Sequence, residues 1–464
     1  MKKIVYTVLA LALLMTGTGC KKFIDGYDVS PNSPSAVTNA LLLSNTQVAY
    51  FATASGQLSR MSSMLVQQTT GINFQSRDIN EYVILEGDNV NEWNVIYTNG
   101  IVNLRKLYAQ AGAANPHYQG ISKVMQALFM GVATDLWGDV PNREAGQGMD
   151  GKFSPVYDNQ QVVIQDIQAY LDEAITLLSK PASANVQLPG SDDLVFQGDA
   201  GSWIATAHAL KARYHNRLSK KDAAGSAANA LTSVAAAKAA GLTSNDANCN
   251  AIFGQNSNEY NQWYAFTVVE RAGYMVAGAS MTNLMNGWSD PRLPYYCTPD
   301  SGGGYNGCPV NVQNDQASGI GPYLATPDAP FPIVSYAELL FIEAEANFRK
   351  GDKAAAATAF NDAVKASVLQ VTGAANPAFE AAQAAETAGS ITLEKIMTHK
   401  YVAMYGQIEA WSDWRRTGIP TLTANPDGAV SGIPRRLPTV QDERLYNPNA
   451  PAENDILKPV WWDQ

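Results

Sequence analysis

Apolar residues recur at steps of three and four along much of this chain, a spacing that places them on one face of an α-helix. One such stripe runs from Trp93 to Tyr108, and a second runs from Ile121 to Leu136. Gly138 and Pro141 follow the second stripe and are expected to end its helix. The pattern therefore predicts an all-α fold.

Six further segments have helical periodicity, at residues 160–179, 202–219, 222–240, 335–350, 352–370 and 392–411. The second and third form one pair of neighbouring helices, and the fourth and fifth form another. In the later pair, large and small residues follow the spacing of a tetratricopeptide repeat, with Leu340, Ala344, Gly351, Ala356, Phe360 and Ala363 at its positions. The sequence thus predicts a tetratricopeptide-like scaffold of helix pairs, an architecture that usually binds other molecules.

Helical periodicity fades between residues 245 and 334, where Gly, Pro and Asn accumulate together with many aromatic residues. Long segments without regular structure are usually functional or disordered, and the aromatic content argues against disorder. We expect a long, irregular, aromatic-rich face inserted into the helical scaffold. The proline-rich tail ends in Trp461 and Trp462, which are expected to pack back onto the body.

The N-terminus has the features of an export signal. Lys2 and Lys3 precede a short apolar run, and small residues then lead to Cys20. Cleavage before Cys20 and acylation of its thiol are predicted, although Gly17 stands where lipoproteins usually have leucine. The alternative is ordinary secretion with a free cysteine. The predicted organisation is a signal peptide at 1–19, a lipidated tether at 20–38 and a single domain at 39–464.

Charge excludes one class of function. The formal net charge is −10, and loss of Lys2 and Lys3 with the leader makes it −12. Because the chain is acidic and has no basic run, nucleic-acid binding is excluded as a primary role. Contact with a membrane is expected only through the N-terminal lipid.

Three cysteines remain in the predicted mature domain. Cys297 and Cys308 flank a glycine-rich loop and are the candidate disulfide pair, which would contribute on the order of 3 kcal/mol by closing that loop. Two free thiols are the alternative. Cys249 is expected to be a buried single thiol.

The chain resembles the SusD/RagB-type nutrient-binding lipoproteins. The resemblance lies in an ordered set of stretches that begin at Cys20, Trp93, Ala133, Asp290, Tyr336, Trp414 and Ile433, with Asp-Leu-Trp-Gly-Asp-Val-Pro at 135–141 the most specific. It implies one domain of tetratricopeptide-like helix pairs, lipid-anchored in the outer membrane and exposed at the cell surface. It also implies a lid-like role over a TonB-dependent SusC-type transporter. Eight residues of the matched stretches are interpreted as scaffold: Trp93, Tyr97, Asp135, Trp137, Pro141, Asp290, Arg292 and Trp414.

Two regions combine aromatic rings with polar side chains, as saccharide capture requires. Rings stack on the apolar faces of sugars, while amide, carboxylate and guanidinium groups bind the hydroxyls. The candidate ligand-binding residues are Phe74, Arg77 and Tyr82 in a polar loop and Trp263, Tyr264, Trp288 and Tyr305 in the irregular segment. Core packing is the competing interpretation for each ring. An extended peptide could use the same surface, and a non-catalytic adhesion or scaffold protein is a third hypothesis.

Enzyme motifs are weak. Gly146 to Gly151 matches phosphate-binding strings, but the motif needs a preceding strand and a following helix, neither of which is predicted here. No Gly-x-Ser-x-Gly or His-Glu-x-x-His sequence occurs. The sequence therefore predicts a binding protein without catalytic residues, cofactor or bound metal.

Overall fold

The structure, a computed structural model, describes residues 37–464, most of which are helical. The predicted signal peptide, Cys20 and most of the predicted tether lie outside the described residues. In chain order the helices are α1 Asn39–Ser55, α2 Gln57–Leu65, α3 Phe74–Asn80, α4 Val90–Asn94, α5 Val102–Ala111, α6 Pro116–Trp137, α7 Gln160–Leu178, α8 Ala200–Arg217, α9 Ala223–Ala239, α10 Gln262–Tyr264, α11 Ala279–Trp288, α12 Leu293–Tyr296, α13 Tyr336–Arg349, α14 Lys353–Thr372, α15 Pro377–Gln383, α16 Leu393–Ala403, α17 Ile408–Thr417 and α18 Gln441–Tyr446. The all-α prediction is confirmed.

Two π-helical segments extend short helices: Val95–Ile101 joins α4 to α5, and Ala265–Glu270 continues α10. Among residues 37–464, no helix combines the length and the apolar composition needed to cross a bilayer.

Four short strands form two antiparallel pairs. β1 (Thr69–Gly71) pairs with β3 (Met275–Ala277), and β2 (Cys249–Ala251) pairs with β4 (Phe331–Val334). Three of the four strands lie in the segment that was predicted to be irregular. β1 lies outside that segment, so its pairing with β3 ties the segment to the N-terminal part of the helical body.

The helices of the two predicted pairs begin at polar N-caps. The side chains of Asp199, Asp222, Ser335 and Asp352 each accept a hydrogen bond from a backbone N–H in the first turn of α8, α9, α13 and α14. Such a cap satisfies a donor that has no partner within the helix. The sequence therefore sets where these four helices begin.

The α13–α14 pair has the predicted tetratricopeptide-like packing. Leu340, Ala344, Ala356, Phe360 and Ala363 are all buried, and the Phe341 and Phe360 rings meet edge to face. Gly351 lies in the turn with φ of +84°, a conformation that suits glycine because it lacks a Cβ.

The predicted helix over 392–411 is wrong as a single element. The chain forms α16 and α17 with a break between them, where Gly406 has φ of +74°. A Cβ at Gly406 would lie 2.7 Å from Leu324 Cδ1 and 3.2 Å from the Trp263 ring. The close approach of these side chains explains the break, which periodicity alone does not predict.

Buried ion pairs connect the two helix pairs to α6 and α17. Arg213 of α8 pairs with Glu338 of α13 at 2.6 Å, and Arg217 of α8 pairs with Asp135 of α6 at 3.0 Å. Arg217 also contacts Glu409 of α17. A buried charge is stable only when it is paired, so these contacts fix how the helices pack.

The residues interpreted as scaffold are largely buried. Trp93 and Trp137 meet edge to face at 5.2 Å, and Arg292 pairs with Asp290 at 2.6 Å in the interior. Trp462 of the C-terminal tail is fully buried, with the Arg415 guanidinium 4.7 Å from its ring. The expected return of the tail onto the body is therefore observed for Trp462.

Candidate ligand-binding face

The pairing of β1 with β3 creates an exposed aromatic pair. The backbone N–H groups of Ile72 and Asn73 both donate to the Tyr274 carbonyl, at 2.9 and 3.2 Å. This contact places Phe74, the first residue of α3, directly against Tyr274. Their rings stack with centroids 4.7 Å apart and planes inclined by 26°.

Phe74 is unusual in both exposure and backbone. Its side chain is 69% exposed, and its φ of +48° lies in the left-handed region, which non-glycine residues seldom adopt. Phe266 from the π-helical segment packs edge to face against Tyr274 at 6.0 Å, and Arg60 lies 4.2 Å from the Phe266 ring centroid. Burial lowers the pKa of Arg60 to about 10. The Phe74 ring, stacked on Tyr274, thus faces solvent, and the Arg60 guanidinium lies behind this pair against Phe266.

Polar side chains continue along the same face of α3. Phe74 and Arg77 are three positions apart in α3, and Glu81, four positions after Arg77, directly follows the helix as its C-cap. Arg77 Nε donates to Glu81 Oε1 at 2.6 Å, and the Arg77 side chain remains about half exposed. The stripe therefore offers a ring face, a guanidinium and a carboxylate in succession.

A polar cavity of about 440 Å³ adjoins this stripe. Its wall includes Arg77, Asn80, Glu81, Asn311, Gln313 and Asp427. The Asn80 amide nitrogen donates to the Val310 carbonyl at 2.7 Å, whereas Asn80 Oδ1 is buried and has no donor among residues 37–464. We call Phe74, Tyr274, Phe266 and this cavity the Phe74 face.

Two of the predicted ligand-binding residues are wrong because they are buried. Trp263 is fully enclosed, and its indole N–H donates to Ser59 Oγ at 3.0 Å. Tyr82 is also buried, its hydroxyl accepts from the Asn425 N–H at 2.9 Å, and burial raises its pKa. Neither ring offers a face to a ligand, since long-range packing has placed both in the core.

Three further predicted residues are half-buried and pack apart from Phe74. Tyr264 meets Tyr260 edge to face at 5.0 Å, and Trp288 stacks on His399 at 4.1 Å. The Tyr305 carbonyl accepts from Asn286 Nδ2 at 2.7 Å. Among the described residues, no ring contact joins any of the three to Phe74, and their role in ligand binding stays a prediction. The structure brings Phe74 and Arg77 together at the candidate site.

The candidate disulfide is not formed. Cys297 and Cys308 are free, buried thiols, as is Cys249. The Cys297 backbone pairs with Ile320 in an isolated β-bridge, whereas the Cys308 backbone pairs with Gly278 in another. Burial raises the pKa of the Cys297 thiol to about 12. Each cysteine is thus held by its own backbone partner, and the glycine-rich loop is closed by hydrogen bonds instead.

Sequence reasoning missed Tyr274, Phe266 and Asn80 as members of the site. Both rings fall within the aromatic-rich segment, so composition indicated the region. Only the β1–β3 register identifies which of its rings meets Phe74.

Comparison with known proteins assigns most of the chain to one family. A family model described as "Starch-binding associating with outer membrane", of the SusD-like type, matches residues 31–438. A structure named as a chitin-binding protein is 26% identical with a TM-score of 0.78, covering 92% of this chain and 100% of that one. No match was found among curated proteins.

Two further solved structures share the fold at lower identity. A SusD/RagB family protein from Bacteroides thetaiotaomicron is 23% identical, with a TM-score of 0.77 over 92% of this chain and 99% of that one. A chitin-binding SusD homologue from Flavobacterium johnsoniae is 22% identical, with a TM-score of 0.77 over 91% and 98%.

Proposed function

Since this chain belongs to the SusD-like family of starch-binding proteins associated with the outer membrane, we propose that it captures an oligosaccharide at the Phe74 face and delivers it for import. The partner in this proposal is a TonB-dependent SusC-type transporter, and the anchor is a lipid on Cys20 at the cell surface. Members of the family are binding proteins, and the proposed role needs no covalent chemistry.

The observation that carries the proposal is the exposed Phe74 ring beside a polar cavity. A phenyl ring that is 69% exposed, stacked on a second ring and held in a left-handed backbone costs free energy that packing does not recover. Retention of such a ring is explained if its free face stacks on a sugar. The Arg77 guanidinium and the Glu81 carboxylate then lie where hydroxyl groups need a donor and an acceptor.

A saccharide fits this face better than an extended peptide does. The cavity wall is rich in amide and charged groups and offers little apolar area, whereas peptide side chains are usually held in apolar pockets. Sugars combine apolar ring faces with many hydroxyls, which matches a flat ring beside a polar hollow.

Calorimetric titration of residues 21–464 against chito-, malto- and other oligosaccharides, with peptides alongside, tests the proposal. Phe74→Ala is expected to weaken glycan binding by about tenfold or more, because stacking of a ligand ring on an aromatic side chain contributes on the order of 1–3 kcal/mol. Phe153→Ala is the matched control, since Phe153 is 81% exposed but belongs to a different loop. Glycan binding that Phe74→Ala leaves unchanged contradicts the proposed site, and binding of peptides alone contradicts the ligand class.

Anchoring and delivery are tested in cells. Cys20→Ala is expected to move the protein from the outer-membrane fraction to the soluble fraction, because the proposed anchor is the lipid on that thiol. Affinity purification of the wild-type protein from solubilised membranes is expected to recover a TonB-dependent transporter. Recovery of no such transporter, with glycan binding intact, would favour a scaffold or adhesion role.

A further inference from the structure

A second cavity lies on the helical scaffold and shares no lining residue with the Phe74 face. It has a volume of about 630 Å³ and opens between α5, α6 and α7. Arg105 and Tyr108 come from α5, Lys123 and Gln126 from α6, and Tyr170 from α7. The loop from Arg143 to Asp150, which contains the glycine-rich string noted in the sequence, forms its rim.

Gln126 points into this cavity without a partner. Its side chain is 7% exposed, and its amide makes no hydrogen bond to any residue from 37 to 464. Arg105 Nε is buried and has no hydrogen-bond partner within that range. Buried polar groups in native proteins are nearly always satisfied, so this unsatisfied nitrogen, beside an amide without a protein partner, indicates a site that a ligand completes.

Arg105 has no carboxylate partner. Its Nη2 donates only to the carbonyl oxygens of Asn142 and Arg143, both at 2.9 Å, and no carboxylate among the described residues forms an ion pair with it. Arg213 and Arg217 are both paired with carboxylates, whereas Arg415 is held by backbone carbonyls as Arg105 is. Unlike Arg415, which is fully buried, Arg105 lines a cavity that an anion can enter.

Two of the three cations around the cavity already have carboxylate partners. Arg143 pairs with Asp166 at 2.9 Å, and Lys123 pairs with Glu173 at 3.0 Å. Arg105 and Asp150 are the remaining charged groups of the wall, and they form no ion pair with each other. Arg105 therefore supplies the positive charge that is still free to meet a carboxylate.

Lys123 is held in place before any ligand enters. Its ammonium lies 4.5 Å from the centroid of Tyr108 and 4.9 Å from that of Tyr170, and it pairs with Glu173 at 3.0 Å. A preorganised cation loses little conformational entropy when it binds an anion. The cavity is far larger than an inorganic anion, and its two tyrosines and two glutamines suit a ligand with a polar ring.

We propose that this cavity is a second ligand site that takes a carboxylated sugar, with the carboxylate at Arg105 and Lys123 and a ring hydroxyl at the Gln126 amide. The site is independent of the Phe74 face, so its test does not depend on the outcome of the oligosaccharide proposal.

Calorimetric or NMR titration of residues 21–464 with galacturonate and glucuronate provides the test, with galactose and glucose as neutral counterparts and inorganic phosphate as the plain anion. Saturable binding of a uronate that exceeds binding of its neutral counterpart by about tenfold is expected, because a charge-assisted contact is involved. Equal binding of neutral sugars, equal binding of phosphate, or no binding in the millimolar range would each overturn the proposal.

Two variants distinguish a binding role from a structural one. Arg105→Gln is expected to weaken uronate binding by about tenfold, as the loss of one charged contact predicts. Gln126→Leu is expected to weaken it too, while the melting temperature stays the same or rises, because the amide makes no hydrogen bond within the protein that the substitution would break. Phe74→Ala should leave uronate binding unchanged. Uronate binding that survives both Arg105→Gln and Gln126→Leu would contradict the assignment of the site.

Discussion

Phe74 and Trp263 are both aromatic and both lie in polar stretches of sequence, yet their environments are opposite. Phe74 stands on the surface with one face on Tyr274 and the other in solvent. Trp263 is enclosed beside Gly406 and hydrogen-bonded to Ser59. The difference in burial implies that substitution of one affects binding and substitution of the other affects stability.

Trp263→Ala is expected to lower the free energy of unfolding by about 3–5 kcal/mol, because it removes a large buried side chain and leaves a cavity. Phe74→Asn is expected to change it by less than about 1 kcal/mol, since the side chain is exposed and asparagine tolerates a left-handed backbone. Urea denaturation followed by circular dichroism measures both. A large loss of stability in Phe74→Asn would mean that the exposed ring has a structural role.

His399 is a buried neutral imidazole. It stacks on Trp288, meets Phe360 edge to face at 5.2 Å, and has no partner for Nδ1 among residues 37–464. Burial, with smaller contributions from Arg292 and Lys395, lowers its pKa to about 3 from the ordinary value of 6.5. At a pH between these two pKa values, His399 is protonated in the unfolded chain but neutral in the folded chain.

Stability is therefore expected to fall as pH is lowered from 6.5 towards 3, by up to about 1.4 kcal/mol per pH unit from this residue. His399→Phe keeps an aromatic ring on Trp288 and removes the titration. Chemical denaturation at a series of pH values should give a shallower pH dependence for His399→Phe than for wild type. Parallel curves would show that His399 is not responsible.

At the scale of elements, the α13–α14 pair shows why small residues lie at fixed positions. Ala344, Ala356 and Ala363 are buried between the helices, where Phe360 fills the remaining space. Alanine allows close approach and favours helix, so both requirements select the same residue.

Ala363→Leu is expected to destabilise the protein by about 1–3 kcal/mol, because the added atoms have no space between the helices. Ala354→Leu is the matched control, since Ala354 lies exposed on the same helix. Thermal denaturation of both variants measures the difference. Similar melting temperatures for the two variants would contradict the close packing of α13 on α14.

At the scale of the whole molecule, a buried charge network joins elements that are distant in sequence. Arg416 of α17 pairs with Glu345 of α13 and with Asp413, and Lys400 of α16 pairs with Asp413 at 2.7 Å. These cations hold the pKa of Asp413 and that of Glu345 below their ordinary values, against the opposing effect of burial. The network thus links the second helix pair to the C-terminal helices.

Arg416→Met is expected to cost about 3–5 kcal/mol of stability, because it leaves buried carboxylates without their partner. Arg444→Met is the matched control, since Arg444 pairs with Glu86 at the surface, where an ion pair contributes about 1 kcal/mol or less. Urea denaturation at neutral pH compares the two. A small effect in Arg416→Met would show that the network sets specificity of packing without adding stability.

Much of the architecture could be predicted from the sequence because helical periodicity and N-caps are local. The spacing of Leu340, Ala344 and Phe360 predicts a helix pair, and the structure has one. The ordered motifs also indicated the family, and the family match confirms that resemblance. These signals survive in the sequence because each one joins residues only a few positions apart.

The candidate site depended on tertiary structure. Asn73 contacts Gly273 across 200 residues, and the β1–β3 register next to this contact decides that Phe74 meets Tyr274. The same long-range packing buries Trp263 and Tyr82 and keeps Cys297 apart from Cys308. The sequence by itself determined the helical scaffold and the regions rich in aromatic residues. Which rings reach solvent was decided only by tertiary structure, because exposure depends on contacts between segments far apart in the chain.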